Sequence, residues 1–517
     1  MPVSSINSNT IVPKSEDEKI SFYASKFKTI LKTLHQYYDD TLDIDELSDK
    51  TFNAMLAELD PFSKYFNAKL WKSLNEESEG ESVGIGVELF KLNDTINIIN
   101  VAKASSADKA GLIAGDKILA INDSIFIGKN TDIAEEALNG EEKSIVKLKI
   151  MRISDGKIIE IYLAREDYNI PSISTSFIVP NTKILYLKLA RFSNKSHSEI
   201  LNEMQKYEGR YSSLILDLKD NQGGNLGQVI KITQEWTSNK DTILLLKSKS
   251  KEYDSVYVND RNGKFHKIPT MVVINEKTAS ASEIFSGVMQ DLDRGIVVGQ
   301  TSLGKGLVQR AWTYTDSSAF RITVAKYFTP SGRLINKSNK KENLSIPELE
   351  LRDEKTVAAI SEIASKFDPS SVKVCKSRKG RPIISFGGIF PDIQVEPEKQ
   401  NKLTSLLKSN GYILTYSLFW YTLNYQDFVQ YNSPEEFATK YIVSQDFEAN
   451  FLNYIKGKNM YEEEMYIANR DIIFNFLKAY IAYYKWGNEG HFRVLFDRDT
   501  QVKSAIENIQ KAQEMVK

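Results

Sequence analysis

Ser280, Lys305 and Gln309 are the residues whose types and spacing in this chain could do covalent chemistry. Met271 to Ile274 form a short apolar run after Pro269, Glu276 to Ala279 hold no periodic apolar residue, and Ile284, Phe285, Val288, Met289 and Leu292 recur at helical spacing. Ser280 with Glu283 three residues on is a capping box that starts the helix at Ser280. The stretch therefore reads strand, turn, helix, and it sets a hydroxyl beside backbone N–H groups that lack intrahelical partners and could hold an oxyanion. After the strand Ile296 to Val298 come Gly299 to Gly306 and then an extended run, Leu307 to Thr315, with Lys305 and Gln309 on one face. A lysine between two glycines can lie close against backbone and lose water, which lowers its pKa until the neutral amine accepts a serine proton. Serine with lysine is a known variant of the serine, histidine and aspartate arrangement. Spacing alone leaves two bland readings open, a serine that only caps and a lysine that is only solvated. Ser282, in the first helical turn, is a rival nucleophile.

A second strand, glycine turn and helix supports the chemistry. The apolar strand Leu214 to Leu218 runs into Lys219-Asp220-Asn221-Gln222-Gly223-Gly224-Asn225-Leu226, which opens a helix and leaves N–H groups at the strand's end for a second oxyanion donor. Composition narrows the alternatives. A 517-residue chain with 41% hydrophobic and 26% charged residues is expected to hold about three or four soluble domains. A formal net charge of −1 gives no basic field for nucleic acid or an anionic membrane. One cysteine, Cys375, allows no internal disulfide, and four scattered histidines give no metal-ligand spacing, so neither metal nor cofactor is expected. No apolar run reaches membrane-spanning length, Tyr412 to Leu423 coming nearest. Met1 to Lys14 lacks an apolar signal core, which fits a cytoplasmic chain or an exported one without its leader.

The elements that must position these residues divide into four parts. Residues 1–83 read as a helical region: a polar lead to residue 17, helices Phe22 to Tyr38 and Ile44 to Leu59, and an acidic linker, Glu76 to Glu81. Residues 84–165 hold Gly84-Ile85-Gly86-Val87, strands at Thr95 to Val101, Ile145 to Ile150 and Ile158 to Leu163, Lys109-Ala110-Gly111-Leu112, and Gly115-Asp116-Lys117-Ile118-Leu119-Ala120-Ile121-Asn122. That combination resembles a PDZ domain. The resemblance implies that N–H groups around Ile85, Gly86 and Val87 form a nest for a peptide's terminal carboxylate, and that the adjoining strand pairs with the peptide.

From residue 166 to 398 strands and helices alternate, and here the order of motifs becomes recognisable. Leu59-Asp60-Pro61, the PDZ-like unit, Asp217 to Gly224, Thr278-Ala279-Ser280-Ala281-Ser282-Glu283 and Gly304-Lys305-Gly306-Leu307-Val308-Gln309 together resemble the carboxyl-terminal processing, or tail-specific, serine proteases. The likeness covers roughly residues 22–398. It implies a multidomain α+β chain: a crotonase-like α/β protease core, an inserted PDZ β-barrel, and helical N- and C-terminal regions. It further implies Ser280 as nucleophile, Lys305 as general base, Gln309 as the group orienting the lysine, and oxyanion donors from the backbone of Ala281 and of Gly223 or Gly224. Gln222 stands where many relatives have proline or glycine, which leaves the choice between those glycines open. Protein or peptide substrates with accessible C-terminal tails, and a cell-envelope or periplasmic setting, are also implied.

Three features depart from that pattern or compete with it. Tyr327-Phe328-Thr329-Pro330-Ser331-Gly332-Arg333 is separated from Gly387-Gly388-Ile389-Phe390-Pro391-Asp392-Ile393 by an insertion, 336–380, rich in lysine and serine and expected on the surface. Residues 399–517 read as a helical domain so aromatic that it needs a partner surface, its own core or a homo-oligomer contact. Gly299 to Gly306 nearly spells a phosphate-binding loop, but Gly306 replaces the magnesium-binding serine or threonine and a strand follows. A nucleotide-binding enzyme and a non-catalytic PDZ scaffold are the competing functions.

Overall fold

The apolar runs Ile184–Leu189, Ser213–Asp217, Thr270–Ile274 and Ile296–Gly299 lie side by side as parallel strands in chain order. Ile173–Ile178 joins antiparallel at one edge and Ile393–Gln394 parallel at the other. These strands are apolar at nearly every position because both sheet faces are covered. Leu185, Leu187, Leu214, Leu216, Val272 and Val297 point to one face, under the helices Ser196–Lys206, Leu226–Trp236 and Ala281–Asp291. The alternate residues Tyr186, Ile215, Met271, Val273 and Val298 point to the other, where Phe496, Val502, Ala505 and Ala512 cover them. Parallel pairing brings the C-terminal strand ends to one edge, so the loops 218–225, 275–280 and 300–306 all leave the sheet there.

The structure, a computed structural model, describes residues 15–337, 373–385 and 387–517. It forms two compact units: the described part of Met1–Lys72 with Gln309–Thr323, and Ser73–Val308 with the described part of Val324–Lys517. In the smaller unit the helices Glu16–Tyr37 and Ile44–Ala57 meet through Phe27 and Phe52, and Lys64–Phe66 pairs antiparallel with residues 319–321. The first helix begins earlier than its apolar stripe suggests, because Ser15 and Glu18 form a capping box. The polar lead to residue 14 lies outside the described residues. The acidic run expected as a linker is instead the end of a helix, Ala68–Glu79, and the start of a strand, Glu81–Gly84, which pairs with Glu166–Asn169. Trp71 and Leu74 at helical spacing carry that helix, a signal the charge run hides.

In the larger unit the PDZ region forms a β-sheet in the order Val87–Leu92, Thr95–Val101, Lys117–Ile121, Ile145–Met151, Ile158–Ala164, with the helices Ser106–Lys109 and Thr131–Leu138. Its core is aliphatic, centred on Ile96, Ile98, Ile118, Val146 and Leu148. The aromatics of the C-terminal region find their partner surface within the chain. Tyr416, Tyr421, Phe428, Phe437, Phe447 and Phe451 form one buried cluster, which also takes in Ile99 and Ala114 of the PDZ region. A long helix, Glu463–Phe496, runs from that cluster to the six-stranded sheet, and its kink at Gly487 has φ of 62°, which glycine adopts without strain. Among the described residues no helix is long and apolar enough to cross a membrane.

The insertion expected on the surface is described only in part, since 338–372 fall outside the described residues. Its end is a hairpin, Lys373–Lys376 with Pro382–Ser385, held inward by Arg381 on Asp293 (3.0 Å) and Asp392 and by Arg378 on Asp241 (2.5 Å). Asp293 and Asp241 lie 88 and 137 residues back in the chain, so composition does not reveal them.

The helix that carries Ser280 is buried along its whole length, and Phe285 is fully buried with its ring centroid 5.4 Å from that of Trp236. Phe285→Ala should destabilise the larger unit by about 3–5 kcal/mol, read as a lower urea midpoint; a loss under 1 kcal/mol would show that this helix does not depend on its apolar face.

Candidate functional site

Ser280 sits where the Thr270–Ile274 strand has turned and the Ala281–Asp291 helix begins, with φ of 55° and ψ of −115°. A non-glycine residue in this region is strained and persists only where its surroundings hold it. The surroundings are specific. Asn275 N–H donates to Thr278 Oγ1 (2.9 Å), Thr278 Oγ1 donates to the Leu218 carbonyl (2.9 Å), and Ala279 N–H donates to the Asn221 carbonyl (3.0 Å). The turn after one strand is thereby tied to the loop after its neighbour. The expected capping box between Ser280 and Glu283 is present, and Glu283 Oε2 accepts the Ser280 N–H at 2.8 Å.

Glu283 does more than cap. It is fully buried, and the same Oε2 accepts the Lys305 N–H at 2.8 Å, while Oε1 accepts from Gly304 N–H (2.7 Å) and Ser302 Oγ (2.5 Å). Burial pushes its pKa up against these donors, which pull it down. One carboxylate therefore fixes the backbones of Ser280 and Lys305 together. Tyr327 adds a second tie, its hydroxyl lying on the Lys305 carbonyl and 3.1 Å from the Ser280 carbonyl. Burial, then the Glu283 charge, hold that phenol well above its ordinary pKa, so it remains a donor.

The other expected residues fall as follows. Ser282 is fully buried and donates to the Asn221 carbonyl at 3.0 Å, a tie between the two loops. Gly223, with φ of 95°, lies against the Ser280 turn: a Cβ there would stand 2.7 Å from Ala281 N and 2.8 Å from Ser280 Cβ. Its N–H donates to Asn221 Oδ1 at 2.8 Å. Gly224 bridges to Phe192, whose carbonyl takes the Asn225 N–H at 2.7 Å. Ala281, the first helical residue, has an N–H without an intrahelical acceptor. Gln309 belongs to the smaller unit, where its Nε2 donates to the Phe62 carbonyl at 2.7 Å. The stretch that nearly spells a phosphate loop has no N–H cradle to offer. The N–H groups of Gln300 and of Ser302 through Gly306 all go to protein acceptors, and a strand, Leu307–Thr313, follows.

In the PDZ region Ile85 is buried, and its carbonyl and that of Gly86 accept from Ala107 (3.0 Å) and Ala102 (2.8 Å). Val87 begins the strand Val87–Leu92, which pairs on one side only, with Thr95–Val101. Among the described residues its other edge carries no strand.

A strained serine at a strand-to-helix turn is thus tied to a lysine loop beside a glycine turn. Comparison with known proteins gives likenesses over three stretches of the chain. Residues 183–346 match Peptidase family S41, residues 83–163 match the PDZ domain, and residues 403–487 match a family of unknown function (DUF8443). A "Probable CtpA-like serine protease" of Staphylococcus aureus (strain COL) is 30% identical over 325 residues, 62% of this chain and 64% of that protein. Its counterpart in Staphylococcus epidermidis (strain ATCC 12228 / FDA PCI 1200) is 29% identical over 324 residues, 62% of this chain and 65% of that one. Both matches thus span slightly less than two thirds of the relatives. The solved structure of a photosystem II D1 C-terminal processing protease is 22% identical and covers 73% of this chain and 88% of its own, with a TM-score of 0.34. Residues 183–346 are thus similar to peptidase family S41 and residues 83–163 to the PDZ domain, and the relatives matched carry the name of probable serine proteases.

Sequence reasoning found Glu283 as a capping residue but missed its hold on Lys305, and it missed Ser302 and Tyr327. Replacing Glu283 with Gln keeps the shape but turns an NH2 toward two of the four donors. The variant should lose roughly 2–5 kcal/mol of stability in urea unfolding, the cost of buried donors left without acceptors. An unchanged midpoint would mean that the carboxylate does not hold the two loops.

Proposed function

We propose that this chain is a serine endopeptidase of the carboxyl-terminal processing type, working through a Ser280–Lys305 dyad and choosing substrates by a C-terminal tail bound at the PDZ domain. The observation that carries the reading is the pair of 2.8 Å bonds by which one buried carboxylate joins the Ser280 and Lys305 backbones. In this reading neutral Lys305 Nζ takes the Ser280 hydroxyl proton as Oγ attacks the substrate carbonyl carbon, giving a tetrahedral intermediate. Its oxyanion is held by the N–H of Ala281 and of Gly223 or Gly224. Since Gly223 N–H rests on Asn221 Oδ1 (2.8 Å), Gly223 would have to share that bond to serve. Lys305 then gives its proton to the leaving amine, an acyl-enzyme forms on Ser280, and water releases it by the same steps reversed. The role of Gln309 as orienting group rests on the motif spacing.

Ser280→Ala and Lys305→Ala should each abolish peptide cleavage without changing the fold, and the double variant should be no worse than either, because the two act as one unit. Labelling of the wild type by a serine-directed phosphonate, lost in Ser280→Ala, separates an enzyme from a binding scaffold. Unimpaired cleavage by either single variant overturns the dyad.

Tail selection is supported by the unpaired edge of Val87–Leu92 next to the Ile85–Gly86–Val87 turn, to which an extended peptide could add as a strand. Partners are then proteins or peptides with accessible, unstructured C-termini. A cell-envelope or periplasmic setting follows from the resemblance and is checked by fractionation. Amidating the C-terminus of one peptide substrate should lower kcat/KM by roughly tenfold to a hundredfold, the weight of a charge-assisted hydrogen bond. Equal cleavage of the acid and the amide would show that the PDZ domain does not read the terminal carboxylate.

A further inference from the structure

The loop that ends in Gly223 and Gly224 starts at Lys219, and Lys219 is held from three sides. Its N–H donates to Asp217 Oδ1 (2.8 Å) and its carbonyl accepts from Lys188 Nζ (3.0 Å). Its ammonium, about one tenth exposed, pairs with Asp499 and lies 3.8 Å from Asp217. Asp217 in turn accepts from Tyr186 Oη (2.6 Å) and faces Lys188 Nζ (3.4 Å). Two carboxylates and two ammonium groups thus balance in a largely buried cluster. Three of these charges come from the sheet and its loop.

The fourth comes from elsewhere. Asp499 lies in the C-terminal region, far outside the residues that match the S41 family, and it is rigidly placed. It caps the helix Thr500–Glu507, accepting from Gln501 N–H and Val502 N–H at 3.1 Å each. Gln501 Nε2 donates to the Val395 carbonyl (2.9 Å) and Thr500 Oγ1 to the Glu396 carbonyl (3.0 Å), which anchors the same turn to the end of the sheet. Beyond Lys219, Asn221 relays position: its side chain takes Gly223 N–H and donates to the Leu189 carbonyl (2.9 Å), and its carbonyl takes Ala279 N–H.

We infer that Asp499 is a positioning residue for the oxyanion loop, acting through the Lys219 ammonium; the inference rests on the acyl-transfer reading above. Without the Asp499 charge the cluster keeps two cations and one anion, so the Lys219 ammonium turns to Asp217, and the loop that begins at Lys219 moves with it. A shift of the donors weakens the transition state more than substrate binding, so the effect falls on kcat.

The test uses the full chain, a chromogenic peptide and a peptide boronate of the same sequence, whose tetrahedral adduct occupies the oxyanion site. Asp499→Asn should lower kcat about tenfold, less than the hundredfold or more of losing a donor outright. KM should stay within about twofold, and boronate affinity should fall by a factor like that in kcat/KM. Asp499→Glu should restore most of both. Thermal melting gives the folded fraction, and if Asp499→Asn does not fold, the charge-neutral double variant Asp499→Asn with Lys219→Met takes its place, with the same loss expected. Unchanged kcat per folded molecule, a rise in KM alone, or undiminished boronate affinity overturns the inference. Wild type that neither cleaves the peptide nor binds the boronate overturns the peptidase reading instead.

Discussion

The candidate site depends on one buried carboxylate. Ser280 is in a backbone conformation that costs energy, and Lys305 sits in a loop between two glycines, so neither would keep its place unaided. Glu283 accepts both N–H groups on one oxygen and uses the other to hold Gly304 and Ser302. A neutral amide could not do this, since all four partners are donors. The charge is costly to bury, and the four bonds are what make its burial tolerable. Such an arrangement trades adaptability for definition: the loop has a single registry in which all four donors meet the carboxylate.

How much of this could be read from the sequence depends on the distance along the chain over which each feature acts. Ser280 and Glu283 are three apart, and their box was legible because a helix start has a local signature. The strand, turn and helix around them were legible for the same reason, as were the PDZ strands, whose Gly-Ile-Gly and Gly-Asp-Lys-Ile pieces fall at turns. The hold of Glu283 on residues 302–305 was not legible, because it spans about twenty residues of loop with no periodicity to read. Tyr327 was visible only as part of a motif, without its bonds. Gln309 was placed beside Lys305 by spacing, and its amide proves to be bonded to Phe62.

The C-terminal region shows the same limit on a larger scale. Its aromatic content was plain, but composition could not say what surface it would meet. That surface is partly its own and partly the PDZ sheet, where Ile99 and Ala114 join the aromatic cluster and Tyr483 Oη donates to Glu88 on the strand with the open edge. The same long helix ends at Phe496, against Phe177 and Tyr186 of the six-stranded sheet. The aliphatic PDZ core and the aromatic cluster differ in kind because the first is built from alternating strands and the second from facing helices, where large rings fill wider gaps.

The order in which this chain is made bears on the covering of its central sheet. Strands pair in chain order from residue 173 to 299, yet one of their two apolar faces waits for Phe496, Val502, Ala505 and Ala512. At about 5–20 residues per second, the time between the last of those strands and the residues that cover them is of order ten to forty seconds. For that interval Tyr186, Ile215, Met271, Val273 and Val298 form a bare hydrophobic surface on a nascent chain. The bond between Asp499 and Lys219 forms at the end of the same interval, so the loop proposed to bear an oxyanion donor gains its last tether only when that face is closed. A half-made molecule of this protein would be both sticky and without a finished site, which makes chaperone capture and completion of the candidate site opposite ends of one maturation step.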